Sequence, residues 1–265
     1  MLGIGKPKTN FELAAYGKHP AFNDFFSINT DSPLTRALSA WVEKGAKLNE
    51  NKDRKRQIRS FRFWVRGIKK GDLVLGIIRD SSDRMGRLYP LLVLAKGFVQ
   101  GWEKNWNYMF NRFETVFRSL EDFTAARYEN FREFETKLTQ IRIPELLCTN
   151  HPGVEIEKGS ILPEKMIAWF EKNGGKGALA LPIATLLNNF ESFPRKHDRT
   201  WHGLFKPTPQ GPGAVFQGGL PDNPILTIYA RPLKTEDFFD LFNLSNGNET
   251  MGDVILNKGD TADGY

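Results

Sequence analysis

Apolar and polar positions fall into blocks along this chain, and the sharpest boundaries lie between residues 73 and 94. Two apolar runs, residues 73–78 and 88–94, flank the polar stretch Asp80-Ser-Ser-Asp-Arg-Met-Gly-Arg87, called here the Asp–Arg loop. Apolar runs of this length between turn residues are typical of buried strands. A connection of about nine residues favours an antiparallel hairpin, with Pro90 at a strand start or a sheet edge.

The remaining pattern predicts an α/β (α+β) fold, in which a mostly antiparallel sheet packs against helices. Further strands are predicted at residues 12–18, 61–65, 200–205, 213–216 and 225–230, with 200–205 and 213–216 forming a second hairpin. Helices are predicted at residues 31–48, 161–173 and 233–244, and residues 177–193 read as a short apolar run that turns helical. The first of these helices starts with a capping residue and a proline.

Residues 102–143 carry the longest helical pattern, with apolar positions spaced three and four apart. One straight helix of this length would extend about 60 Å, which is too long for one domain of this size. We therefore expect two helices with a break near residues 119–122. The chain is predicted to form one domain over residues 1–244, with a helical insertion at about 102–175 and a flexible tail at 245–265.

Composition narrows the class of protein. The 265 residues are 40% hydrophobic, which is enough for a packed core and excludes a disordered chain. The formal net charge is +6, but basic residues concentrate only at residues 52–56 with Arg59. A solvated loop explains that cluster most simply, although nucleic-acid binding through it stays an alternative. We predict no nucleic-acid partner.

Location is predicted from what the sequence lacks. Cys148 is the single cysteine, so a disulfide within the chain and a cysteine-rich metal site are excluded, which points to a reducing compartment. The first residues show no apolar core of a signal peptide, and no apolar stretch approaches the length of a membrane span. We therefore expect a cytoplasmic protein without membrane insertion.

Candidate catalytic and cofactor motifs are weak. The chain has no Gly-x-Ser-x-Gly element for acyl transfer. His197, Asp198 and His202 lie close together, but their spacing matches no familiar zinc pattern. The glycine-rich residues 173–177 lack the Walker spacing. We expect no enzymatic activity, no cofactor and no metal.

Two interpretations of the Asp–Arg loop remain open on spacing alone. In the first, Asp83 accepts hydrogen bonds from loop amides and an arginine, and Gly86 supplies a turn with positive φ. In the second, Arg84 and Arg87 contact a partner or hold a phosphate or carboxylate.

A family resemblance rests on three motifs. Gly17-Lys18-x-Pro20 followed by Asp24-Phe25 resembles the N-terminal signature of the TagF (also ImpM) family, which is associated with type VI secretion systems. The stretch 82–91 resembles the family's Asp-Arg-x-Gly-Arg-x-x-Pro-Leu element, and Trp201 with residues 218–221 resembles its C-terminal Trp strand and Gly-Leu-Pro turn. Asn23 stands where the family usually has glycine, and asparagine also tolerates left-handed backbone.

The resemblance implies a longin-like layered architecture and a regulatory role. TagF-like proteins are cytoplasmic, non-catalytic negative regulators of type VI secretion that act post-translationally, with the system's forkhead-associated scaffold protein as partner. The candidate partner-binding or loop-organising residues are Asp24, Asp83, Arg84, Gly86, Arg87, Tyr89, Pro90 and Trp201. We expect Asp83 and one arginine to hold the shape of a loop that presents the partner surface. The alternative is a small-molecule or phospho-ligand sensor or enzyme that uses Arg84 and Arg87. The oligomeric state stays open.

Overall fold

A computed structural model describes residues 11–48, 58–144, 177–183 and 211–244 of the protein. Within these ranges eight strands form one sheet in the order β2-β1-β5-β4-β3-β7-β8-β6, and every neighbouring pair is antiparallel. The strands are β1 Phe11–Gly17, β2 Phe26–Ile28, β3 Ser60–Arg66, β4 Asp72–Arg79, β5 Leu91–Phe98, β6 Ala178–Pro182, β7 Ala214–Leu220 and β8 Asn223–Tyr229. The predicted α/β fold with a mostly antiparallel sheet is confirmed.

Helices cover both faces of the described sheet. They are α1 Pro33–Leu48, a 3₁₀ helix Trp102–Tyr108, α2 Met109–Arg112, α3 Glu114–Ala125, α4 Phe131–Gln140 and α5 Thr235–Leu244. One apolar core lies between the sheet and the α1–α5 pair, and a second lies between the sheet and the 3₁₀ helix with α2, α3 and α4. The central strands are therefore buried on both sides.

Alternation along the strands assigns side chains to these two cores, since successive residues of a strand point to opposite faces. On β3, Phe61 and Phe63 pack towards α1 and α5, while Trp64 packs towards the 3₁₀ helix. On β4, Leu75 and Ile77 lie on the same face as Trp64. Burial on both faces explains why β4 and β5 are continuous apolar runs in the sequence.

The predicted hairpin at the Asp–Arg loop is confirmed as the antiparallel pair β4–β5, in which Arg79 lies opposite Leu91. The second strand begins three residues later than predicted, at Leu91, and continues to Phe98. Pro90 has no N–H to give to the ladder and lies just before the strand. The residues from 80 to 90 thus form one connection between β4 and β5.

The predicted hairpin between residues 200–205 and 213–216 is wrong. Residues 200–205 lie outside the described ranges, but both edges of β7 are occupied, by β3 on one side and β8 on the other. β7 turns directly into β8 through Pro221 and Asp222. The β7–β8 pairing is favoured because closing a two-residue turn costs little conformational entropy.

The predicted helix break near residues 119–122 is also wrong, because α3 runs through these positions. Ser119 is exposed and its hydroxyl donates to the Thr115 carbonyl, so a polar residue on the outer face leaves the helix intact. The break comes after Ala125, and α4 then starts with Asn130 as its N-cap residue. Asn130 Oδ1 accepts from the Glu133 amide at 3.0 Å, and Glu133 Oε2 accepts from the Glu129 amide at 2.8 Å.

Several predictions lie outside the described ranges. These are the helix at 161–173, the helical part of 177–193 beyond residue 183, the strand at 200–205, Cys148 and the tail at 245–265. The single-domain boundary and the longin-like architecture stay predictions.

The contact between α1 and α5 gives a first test. Gly45 lies against Phe238, and a Cβ on Gly45 would come within 2.3 Å of the Phe238 side chain. Helix propensity alone would make Gly45→Ala stabilising by about 1 kcal/mol. We expect the overpacking to prevail and the free energy of unfolding to fall by about 1–2 kcal/mol in urea titrations. The exposed neighbour Lys44→Ala is the matched control and should change it by less than about 0.5 kcal/mol. A stabilised Gly45→Ala variant would contradict this packing.

Candidate functional site

The Asp–Arg loop meets the β1–β2 loop, residues 18–25, at one end of the central sheet. The two loops are brought together because β1 pairs with β5, with Gly17 opposite Leu91. Gly17 has φ 124°, and a Cβ there would lie 2.1 Å from the Pro90 carbonyl oxygen. This close approach of two backbones requires glycine at position 17.

A buried carboxylate organises the junction of the two loops. The side chain of Asp83 is fully buried and accepts four hydrogen bonds. Its Oδ2 accepts from Lys18 Nζ at 2.9 Å and from Arg87 Nε at 2.7 Å. Its Oδ1 accepts from the amides of Met85 and Arg87, both at 3.0 Å. The Asp83 clamp, as we call these five groups, joins both loops through one side chain.

Electrostatics keep this carboxylate ionised. Burial alone would raise the pKa of Asp83, but the hydrogen bond from Lys18, those from the amide and side chain of Arg87, and the Lys18 charge outweigh it and lower the pKa to about 2. Charge-assisted hydrogen bonds of this kind are stronger than neutral ones. The clamp is therefore fully formed at neutral pH.

Backbone contacts complete the junction. The Gly86 amide donates to the Asp83 carbonyl at 2.9 Å, and Gly86 has φ 79° with open space around its Cα. A side chain at Gly86 would meet no atom, so the positive φ alone favours glycine there. The Arg84 amide donates to the Phe22 carbonyl at 2.7 Å, and Arg87 Nη2 donates to the Asn23 carbonyl at 2.6 Å.

Aromatic side chains close the junction from the side. The Lys18 ammonium lies 4.6 Å from the centre of the Phe25 ring, and this ring packs edge-on against Tyr89 at 4.5 Å. The hydroxyls of Tyr89 and Tyr16 lie 3.3 Å apart. Tyr89 is therefore part of the support of the loop rather than of its outer surface.

The candidate residues separate into an inner and an outer set. Asp83, Tyr89 and Pro90 are buried, and Gly86 shapes the turn. Arg87 belongs to both sets, since its side chain holds Asp83 while remaining 57% exposed. Arg84 and Asp24 are exposed and lie outside the clamp. The Asp24 carboxylate accepts from the Phe25 amide, and Trp201 lies outside the described residues.

Arg84 is the largest departure from the clamp interpretation. Within the described part of the chain its guanidinium makes no hydrogen bond or ion pair, and only its amide is engaged. Arg87, not Arg84, supplies the clamp arginine because it lies four residues after Asp83, across the turn that Gly86 closes.

Two residues of this junction did not stand out in the sequence. Lys18 was part of a motif but had no assigned partner. His19 stands at the variable position of the Gly17-Lys18-x-Pro20 motif, and its ring is buried among Phe22, Tyr128 and Phe134. Its Nδ1 accepts from the Ala21 amide, so its Nε2 is the protonated nitrogen that donates to the Ala126 carbonyl at 3.2 Å. Burial lowers the pKa of His19, which keeps the ring neutral.

The nucleic-acid alternative loses one of its residues. Arg59 is buried, with its Nε 2.7 Å from Asp80 Oδ2 and its Nη1 donating to the Phe242 carbonyl. It anchors the start of the Asp–Arg loop to β3 instead of presenting charge to phosphates. Residues 52–56 lie outside the described ranges.

The part of the chain that carries this arrangement resembles a known family. A family model described as the TagF N-terminal domain, type VI secretion system-associated, matches residues 14–141. Residues 14–141 therefore resemble the TagF N-terminal domain. The match contains both loops of the junction, so the Asp83 clamp lies within the region that resembles this type VI secretion system-associated family.

A solved structure resembles this chain in fold beyond residues 14–141. The crystal structure of PA0076 from Pseudomonas aeruginosa PAO1 superposes with a TM-score of 0.51 at 16% identity, covering 88% of this chain and 94% of that one. At this identity the likeness concerns the fold alone. No curated protein matches the chain by sequence.

Residues 11–48, 58–144, 177–183 and 211–244 contain no group of three histidine, cysteine or acidic side chains placed to hold a metal. The helices within these same ranges are all too short or too polar to cross a membrane. His197, Asp198 and His202 lie outside them.

The clamp makes a prediction about pH. We expect the Asp83 carboxyl to titrate with a midpoint near 2, measured by carboxyl carbon NMR. Because the folded pKa lies below the unfolded value of 3.8, the clamp stabilises the fold fully above about pH 4, and this stabilisation is lost as the pH falls towards 2. Replacing Lys18 with methionine should move the midpoint upwards. A wild-type midpoint at the ordinary value would contradict the clamp.

Lysine and arginine variants separate the clamp from the outer surface. Lys18→Met leaves a buried carboxylate with one charged donor fewer, and we expect the melting temperature to fall by roughly 6–12 °C. Arg84→Met removes an exposed, unpaired cation and is the matched control, expected within about 2 °C of wild type. Equal losses for the two variants in thermal denaturation would show that Lys18 does not hold the loop.

Proposed function

We propose that this protein is a non-catalytic, cytoplasmic negative regulator of a bacterial type VI secretion system. It acts post-translationally by binding an assembly or signalling component, of which the forkhead-associated scaffold protein is the expected partner. The Asp–Arg loop forms part of the contact surface.

The division of the loop into inner and outer side chains is the observation that supports this proposal. Asp83 and Lys18 hold the loop in shape. The exposed Arg84 side chain has no partner among the described residues. A loop fixed in this way loses little entropy on binding, which favours affinity. Interfaces are enriched in arginine and methionine, and the loop offers Arg84 next to Met85.

Apolar side chains around the loop add area for a contact. Met85 is 74% exposed, Leu88 is 58% exposed and Phe25 is 50% exposed. Large apolar side chains exposed on and beside one rigid loop are typical of a protein–protein contact rather than of a catalytic centre.

The ligand-sensor alternative has less support. It requires Arg84 and Arg87 to grip one anion together, but the Nε of Arg87 is engaged by Asp83 and its Nη2 by the Asn23 carbonyl. Arg84 alone remains, and a single exposed arginine gives little affinity for a small anion.

Charge reversal at the loop tests the proposal. The double substitution Arg84→Glu with Met85→Glu changes two exposed side chains and leaves the Asp83 clamp intact. We expect a variant that folds normally, captures the forkhead-associated protein at least tenfold less well in pull-downs, and fails to restrain secretion in a deletion strain.

The control is Ile68→Glu, which places one glutamate, as Met85→Glu does, at a 77% exposed apolar residue of the turn between β3 and β4, at the opposite end of the hairpin. It should capture the partner and restrain secretion like wild type. Unchanged secretion in the deletion strain, together with no capture by the wild-type protein, would end the proposal.

A further inference from the structure

A groove lies behind the Asp–Arg loop, on the side of the sheet that α3 covers. Its volume is about 820 Å³, within the range of roughly 300–1,000 Å³ that ligand sites occupy. It is lined by the end of β4, the start of the Asp–Arg loop, the β1–β2 loop and the residues that follow α3. The break between α3 and α4 borders this space.

Arg79 is the least satisfied charged group in the groove. It is half-buried, and among the described residues its guanidinium makes no hydrogen bond or ion pair. Asp80 and Glu121 act on it through charge, but their carboxylates are hydrogen-bonded to Arg59 and Arg62. A half-buried cation without a hydrogen-bond partner is costly and gains from an incoming anion.

The pKa of Arg79 agrees with this geometry. Burial lowers it, and the charges of Asp80 and Glu121 oppose that effect without reversing it. The guanidinium remains charged at any physiological pH, so the shift measures lost hydration rather than lost charge.

The charge of the groove is positive overall. Arg59 and Asp80 neutralise each other, and His19 is neutral. Arg79 and the exposed Arg127 therefore leave two positive charges that no described lining residue balances. An anionic ligand complements this charge.

The walls add apolar and hydroxyl groups. Ile58 and Leu88 are more than half exposed at the rim. The hydroxyls of Ser81 and Ser82 can donate to a carboxylate. Two cations suit one or two carboxylates, whereas nucleic acid is held by many more phosphate contacts.

We propose that this groove binds an acidic segment of a partner protein, with a carboxylate on Arg79 and apolar side chains against Ile58 and Leu88. Arg127 and the two serines hold the same or a neighbouring acidic residue. Such a contact is independent of the identity of the regulatory partner.

Binding can be measured with purified protein and a fluorescein-labelled nine-residue peptide of alternating glutamate and leucine. We expect the fluorescence anisotropy to report binding that weakens with salt, and the same peptide with glutamine in place of glutamate to bind at least tenfold more weakly. Arg79→Gln should lose tenfold or more in affinity for the acidic peptide while keeping the wild-type melting temperature.

Two further variants keep the test decisive. Arg127→Gln alters an exposed residue, so it does not depend on a half-buried substitution, and should weaken binding several-fold. Arg36→Gln is the matched control, because this exposed arginine lies on α1, which covers the other face of the sheet. It should bind like wild type.

Other outcomes overturn the proposal. Equal affinities for the glutamate and glutamine peptides, or for wild type and Arg79→Gln, would exclude a carboxylate site. If inorganic phosphate displaced the peptide and bound with the same affinity as the peptide, the groove would be a small-anion site instead. Tighter, Arg79-dependent binding of a single-stranded DNA 20-mer would identify a nucleic-acid site. Because none of these assays measures secretion, their failure is distinct from failure of the regulatory role.

Discussion

The buried carboxylate of Asp83 is the constraint on which the functional end of this molecule depends. A buried charge is tolerated only when hydrogen-bond donors surround it, and these donors come from two loops that are far apart in sequence. Lys18 reaches it from the β1–β2 loop, and Arg87 and two amides reach it from its own loop. Neither loop can adopt this shape without the other, so the two form one unit.

The sheet makes this unit possible. β1 and β5 are neighbours although nearly eighty positions separate them, and their ends bring Gly17 within contact of Pro90. A glycine without a Cβ lets the two backbones approach, and the approach sets Lys18 beside Asp83. The backbone conformation at Gly17 thus determines where the charge of Lys18 lies.

The sequence predicted what depends on local pattern. The strands β4 and β5, the start of α1 and the turn at Gly86 follow from apolar runs, a cap and a glycine. The pairing of β7 was missed because strand neighbours are a property of the whole sheet. The break after α3 was placed too early because Asn130, the residue that caps α4, was not used to locate it. Lys18 and Asp83 each lay in a recognised motif, yet only the fold joins them.

The positions of β4 and α3 explain why the guanidinium of Arg79 has no hydrogen-bond partner among the described residues. Leu75 and Ile77 precede it on the α3 face of β4, and α3 covers both. Position 79 shares that face, but the helix ends at Ala125, and the next carbonyl, that of Ala126, is taken by His19. An apolar residue at position 79 would be exposed to water in the open groove, and an arginine in a closed groove would be a buried charge. An arginine in an open groove therefore suits a site that a bound partner completes. The clamp holds the front of the loop, and the groove behind it holds a half-buried guanidinium for which the described residues supply no hydrogen bond.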